Sequence, residues 1–182
     1  MSDQFQIVRR ERLLDSYVFN VEQRTIQHGD EVFSRDVVVH PGAVAILAVN
    51  ERDEIGFLRQ YRSSVDRVTL EIPAGTLDVP GEDPLDAARR ELLEELGCEA
   101  ARWTVLGRFM VSPGWSDQLM TIFEARQLTH GARRPMGPEE RTSTVQWLSK
   151  ETLRATLGGE GALDATMVVA LHRVFGDLFD VH

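Results

Sequence analysis

Polar and apolar positions alternate along residues 17–26 and again along 31–39, the period of half-buried strands, with His28-Gly29-Asp30 as a turn between them. Residues 1–39 thus read as one extended region, and His28 as a solvated turn residue. The pattern then changes. Residues 43–49 are apolar throughout, which predicts a central strand with both faces covered. A polar turn over 50–54 leads to a partner strand over 55–61. Further strands are predicted over 103–111 and 118–125, and residues 129–143, with two prolines and two glycines, read as a loop. A short strand over 144–148 precedes a helix that Ser149 can cap and Gly158-Gly159 can end. Asp164 can cap a last helix reaching about Phe175, with His172 near its apolar face as a core or edge histidine. Strands interrupted by two or three helices define a mixed α/β class.

One helix stands apart. Asp83 is a good N-cap, Pro84 fits the first helical position, and Gly97 fits the position just past the end. At about 100° per residue, Glu91, Glu94 and Glu95 fall within roughly a 100° arc. Beside them runs a narrow apolar stripe of Leu85, Leu92 and Leu96, with Ala88 at its edge. Like charges at this spacing repel, at about 0.2–0.5 kcal/mol per pair. Two readings stay open on geometry alone. The acids form a solvated face, partly paired by Arg89 and Arg90, or they hold a hard divalent cation, which takes oxygen ligands. Glu91 and Glu95, at i and i+4, are spaced to share one ion.

Composition narrows the classes. The chain has 182 residues, 42% of them hydrophobic, enough for one domain with a sizeable core. Its net charge of −9 argues against nucleic acid or an anionic membrane as partner. The same field repels an anionic substrate, so local cations have to overcome it. The single cysteine, Cys98, reads as a small buried hydrophobe, and the longest apolar run, 43–49, is far too short to span a membrane. No positively charged cap with a long apolar run opens the chain. A cytoplasmic location is expected.

The stretch from Gly75 to Cys98 resembles the Nudix box. Its pattern is Gly, five residues, Glu, seven residues, Arg-Glu, an aliphatic, any residue, Glu-Glu, any residue, Gly, an aliphatic. Here Glu82, seven residues, and Arg90-Glu91-Leu92-Leu93-Glu94-Glu95-Leu96-Gly97-Cys98 match, with cysteine at the last position. Six residues rather than five separate Gly75 from Glu82, an addition that a loop absorbs more easily than a helix. Leu70-Glu71-Ile72-Pro73-Ala74-Gly75, Phe57-Leu58-Arg59-Gln60-Tyr61-Arg62 and Ser112-Pro113-Gly114 are similar to segments of the ADP-ribose and nucleoside-diphosphate-sugar pyrophosphatase subgroup.

The resemblance implies an α/β/α sandwich with a mixed sheet over residues 41–182 and an N-terminal antiparallel extension over 1–40 that serves dimerisation and substrate binding. It implies Mg²⁺, with Mn²⁺ as substitute, held by Glu91, Glu94, Glu95 and the Ala74 carbonyl. Gly75 and Glu82 support the box, and Arg90 fixes a box glutamate. The cations would neutralise diphosphate charge and lower the pKa of a bound water, and Glu140, or Glu139 in its place, would take that water's proton. Arg62 would meet phosphates, Arg35 would reach the partner subunit's nucleotide in a homodimer, and Trp115 would line the base or sugar pocket. The subgroup's Ser-Pro-Gly loop continues with an acid and a glutamate, whereas here Asp117 is followed by Gln118. That amide bears on the choice of sugar. The implied reaction is hydrolysis of ADP-ribose to AMP and ribose 5-phosphate. Its rivals are the same chemistry on GDP-mannose or a UDP-sugar, and a non-catalytic ADP-ribose sensor.

Overall fold

In a computed structural model, which describes residues 4–157 and 163–176, the apolar run becomes β4 (Ala43–Ala48), buried at every position. Its alternate side chains enter two separate cores. Ala43, Ala45 and Leu47 pack with Leu153 of helix α3 (Lys150–Leu157) and with Met167, Ala170 and Leu171 of α4 (Ala165–Val174). Val44, Ile46 and Ala48 pack with Ala87 and Ala88 of α1 (Pro84–Glu91) and with Leu92 and Leu96 just beyond it. Helices therefore cover both faces, and the α/β/α arrangement follows from a strand without a polar side.

β4 runs parallel to β9 (Leu119–His130) and antiparallel to the short β7 (Ala74–Thr76), and β8 (Cys98–Met110) pairs outside β9, giving a mixed sheet of order β7-β4-β9-β8. A second sheet, antiparallel throughout, has β5 (Ile55–Arg62) between β10 (Thr144–Leu148) and β6 (Arg67–Glu71). The third sheet joins β1 (Gln6–Asp15), β2 (Asn20–His28) and β3 (Glu31–Val39) in antiparallel order. It meets the rest through the Ser-Pro-Gly loop. Val38 N–H donates to the Trp115 carbonyl at 2.8 Å, Asp117 N–H to the Val38 carbonyl at 3.1 Å, and Arg24 to the Asp117 carboxylate at 2.9 Å.

Several boundaries differ from the sequence expectation. β1 was not anticipated: Arg9-Arg10-Glu11-Arg12 breaks the alternation, every position is exposed, and pairing with β2 holds the strand. β2 starts at Asn20 rather than residue 17, while β8 and β9 are each longer than their apolar cores suggest. Within 129–143 lies a one-turn helix, α2 (Pro138–Thr142); Pro138 sits at its first position, where a missing N–H costs nothing. Ser149 and Asp164 cap α3 and α4 as expected, by bonds to Thr152 N–H at 3.2 Å and Met167 N–H at 2.7 Å. The expected helix end at Gly158-Gly159 lies outside the described residues.

The box helix is not uniform. After Glu91 it widens into a π turn, Leu92–Leu96, a form frequent at functional sites. It ends at Gly97 in the left-handed region (φ 66°), where a Cβ would lie 2.8 Å from the Gly131 carbonyl oxygen and 2.9 Å from Arg133 N. Gly97→Ala meets both constraints at once. It should lower unfolding stability by at least about 1–2 kcal/mol in urea titration; unchanged stability would show that the helix end is free to relax.

Candidate active site

The box helix turns its apolar stripe to β4 and so drives two carboxylates inward. Glu91 is only 7% exposed and Glu95 only 3%. Space for Glu91 exists because residue 75 is glycine: a Cβ there would overlap the Glu91 carboxylate. Glu95 Oε2 accepts a hydrogen bond from Ala74 N–H at 2.9 Å. The short strand β7 is thus the backbone floor under both acids. Burial pushes the Glu91 carboxyl up to about 7, with Arg90 pulling it down and Glu94 and Glu140 adding repulsion. Burial pushes Glu95 up to about 8, against the Ala74 hydrogen bond and with repulsion from Glu91 and Glu140.

Arg90 gathers the remaining acids. It donates to both Glu82 oxygens at 3.2 Å, to Glu91 at 2.6 Å and to Glu94 at 3.5 Å, and lies 3.8 Å from Asp78. The extra residue between Gly75 and Glu82 therefore leaves Glu82 on Arg90. It bulges as a loop, and Asp78 of that loop turns toward the same guanidinium.

Beside Ala74 opens a cavity of about 600 Å³, lined among others by Arg62, Thr69, Glu71, Ala74 and Gln118. The structure places Arg62, Ala74 and Gln118 on the lining of this one cavity. It also adds Glu71, which reasoning from sequence passed over. Glu71 takes two hydrogen bonds from Arg62, at 3.0 and 2.6 Å, and one from the Thr69 hydroxyl at 2.5 Å. The pairing of β5 with β6 explains the placement: Gln60 opposes Thr69 and Leu58 opposes Glu71, which puts these side chains on the face that carries Arg62. Trp115 stands outside this cavity, 59% exposed, and Arg35 lies on β3 over the ring of Phe33 at 4.8 Å.

The two candidate bases diverge. Glu140 is half-buried on α2, its Oε2 accepting from Met136 N–H at 2.7 Å, and its charge bears on Glu91 and Glu95. Glu139 is exposed, and its charge bears on Tyr61. Cys98 is buried and lies 3.3 Å from His130 Nδ1; burial pushes its thiol up to about 11, which leaves it protonated and inert.

Among the described residues no three carboxylates or imidazoles stand in one coordination sphere, since Glu91 is turned to Arg90 and Glu95 to the Ala74 N–H. Their chemistry nevertheless fits a hard cation. The donors are oxygens, and desolvation raises the pKa of both acids, a cost that a bound cation would relieve.

The acidic helix buried over a backbone floor, next to a polar cavity in an α/β/α sandwich, offers oxygen donors of the kind a hard divalent cation takes. The model of the NUDIX domain matches residues 39–167, and the chain belongs to the Nudix hydrolase family. It is 35% identical over 174 residues to an ADP-ribose pyrophosphatase of Mycobacterium tuberculosis, covering 93% of this chain and 84% of that protein. It is 40% identical over 118 residues to an ADP-ribose pyrophosphatase of Bacillus subtilis, covering 65% and 61%. A solved structure of an ADP compounds hydrolase superposes with a TM-score of 0.82 at 25% identity, covering 98% of this chain and 96% of that one. No helix among the described residues is long and apolar enough to cross a membrane.

An acid whose pKa rises on folding binds its proton more tightly folded than unfolded. The stability this contributes is fully present below the ordinary value of 4.5 and is lost as pH rises toward about 8. In metal-free buffer with chelator, the thermal midpoint should therefore fall between pH 5 and 8 more steeply for the native chain than for Glu95→Gln. Parallel profiles would mean that the Glu95 carboxyl is not held protonated by its site.

Proposed function

We propose that this enzyme hydrolyses the diphosphate bond of ADP-ribose, releasing AMP and ribose 5-phosphate, with Mg²⁺ as its cation and Mn²⁺ as a substitute. The observation that carries this reading is the burial of Glu91 and Glu95 against the Ala74–Gly75 backbone, beside the cavity lined by Arg62 and Gln118. The names of the two relatives support the choice of substrate.

Glu91, Glu95, Glu94 and the Ala74 carbonyl would hold the cation, which supplies charge neutralisation on the diphosphate oxygens and acidifies a water. Gly75 keeps room for the Glu91 carboxylate. Arg90, clasped by Glu82, fixes the rotamer of the box glutamate Glu94, while its bond to Glu91 would give way to the cation. Arg62, held by Glu71, presents a planar cation to phosphate oxygens at the cavity. Glu140 takes the proton of the attacking water; Glu139 is exposed, its charge bears on Tyr61 rather than on the box acids, and it is the weaker candidate. Retention of every box carboxylate weighs against a sensor that only binds.

Residues 1–40 form the arm of a homodimer in this reading. Exposed Phe5, Ile7, Val8, Leu13 and Leu14 support it, because large apolar side chains left in water at this density favour a partner. Arg35 would reach the partner's nucleotide, and Trp115, exposed in the single chain, would stack on a base or sugar there. A cytoplasmic location accords with the single buried thiol. Gln118 favours a second reading, the same chemistry on another nucleotide sugar such as GDP-mannose or a UDP-sugar. An amide there lacks the charge of the subgroup's glutamate.

A hydrolysis panel of ADP-ribose, GDP-mannose and UDP-glucose with Mg²⁺ or Mn²⁺ tests the substrate. ADP-ribose should give the highest kcat/KM; preference for another sugar would move the assignment to Gln118's alternative, and no turnover of any would favour a sensor. Glu95→Gln should abolish turnover. Glu140→Gln should lower kcat by about 10²–10⁴ with little change in KM; if Glu139→Gln does so instead, the base is the neighbouring acid.

A further inference from the structure

The segment between β9 and β10 carries Glu140, and its root is fastened to the end of the box helix. Gly131 N–H donates to the Gly97 carbonyl at 2.6 Å and Arg134 N–H to the Glu94 carbonyl at 3.1 Å. Between these two anchors lies Arg133. From there its guanidinium reaches the far end of α2. One Nη donates to the Ser143 hydroxyl at 2.7 Å and to the Glu140 carbonyl at 3.4 Å; the other donates to the Ser143 carbonyl at 3.2 Å. Ser143, 7% exposed, donates its hydroxyl in a hydrogen bond to the same Glu140 carbonyl at 2.7 Å. The opposite side of Glu140 is held as well, because its carboxylate accepts from Met136 N–H and Arg141 donates to the Met136 carbonyl at 2.9 Å.

We propose that Arg133 is the positioning residue of the water base: it ties the backbone of Glu140 to the C-terminal turn of the box helix and so fixes that carboxylate relative to Glu91 and Glu95. The residue type suits the task. Several carbonyls at a helix end need donors, and a planar guanidinium supplies more than one in a fixed fork, whereas an ammonium is a single point charge. Arg133 Nε is buried with no partner among the described residues. Its orientation therefore serves the Nη bonds to α2 at the expense of its own satisfaction. One continuous path of hydrogen bonds, from Glu94 and Gly97 through residues 131–134 to Ser143 and Glu140, links the acids of the box to the acid across from them.

This inference rests on Glu140 being the base, so the experiment separates the two. Arg133→Met, Ser143→Ala, Glu140→Gln and Arg133→Met/Glu140→Gln are assayed on ADP-ribose with Mg²⁺, with thermal midpoints recorded for each. Arg133→Met should lower kcat by about tenfold to a hundredfold, the cost of a displaced catalytic group, and leave KM within about twofold. Ser143→Ala, which removes only the hydroxyl relay, should lower kcat in the same direction by a smaller factor, and it keeps the test open if Arg133→Met fails to fold. The double variant should be no slower than Glu140→Gln alone, because Arg133 acts through Glu140. Unchanged kcat in Arg133→Met and Ser143→Ala beside a collapsed Glu140→Gln would overturn the positioning role. So would a double variant that loses the full product of both factors. An unimpaired Glu140→Gln would instead remove the base assignment itself, and the positioning role with it.

Discussion

Two carboxylates packed against the backbone of a three-residue strand set the terms for the rest of this molecule. Taking a charge out of water costs several kcal/mol unless a partner is supplied, and Glu91 and Glu95 lie almost wholly inside. The fold supplies partners from three directions. Ala74 offers its N–H to Glu95, Gly75 leaves out the Cβ that would collide with Glu91, and Arg90 reaches Glu91 from the helix itself. The apolar stripe of Ala87, Ala88, Leu92 and Leu96 holds the helix on β4 and prevents the acids from swinging out to water. What remains uncompensated raises the pKa of both carboxyls, to about 7 for Glu91 and about 8 for Glu95. An enzyme that needs a divalent cation gains from such a site, since the ion removes a cost already present in the fold.

The surrounding elements are arranged around this pair. The end of the box helix receives the segment that bears Glu140, so that the box acids and Glu140 share one backbone anchor. The cavity beside Ala74 is lined by Arg62, and Glu71 with Thr69 keeps that guanidinium in place. The N-terminal sheet is joined to the Ser-Pro-Gly loop through Val38, Arg24 and Asp117. The segment ending in Gln118 is thereby coupled to the sheet that carries Arg35.

Much of this was legible in the chain. The all-apolar run became the central strand because no polar side chain offered it an open face. The box helix could be placed from Asp83, Pro84 and Gly97, since cap chemistry is local. Glu82 stayed on Arg90 despite the added loop residue because loops absorb length and helices do not. Other features were hidden for physical reasons. β1 is exposed throughout and is held to β2 by backbone pairing and by ion pairs of Arg10 and Arg12 with Glu22, so its sequence carries no burial pattern. The π turn depends on packing beyond the helix, and the depth at which Glu91 and Glu95 sit is a tertiary property that a helical wheel does not contain. The clasp of Glu71 on Arg62 joins neighbouring strands whose register only the folded sheet defines, and that of Arg133 on Ser143 joins a loop to the end of α2, a contact that only the fold creates.

The central claim is that the box acids and the Ala74 backbone form one cation site. Anomalous diffraction from crystals soaked in Mn²⁺ tests it most directly. The account predicts a strong peak within coordination distance of Glu91, Glu95 and the Ala74 carbonyl, with Arg90 displaced from Glu91. A peak elsewhere, or no peak while Glu91 stays on Arg90, would contradict it.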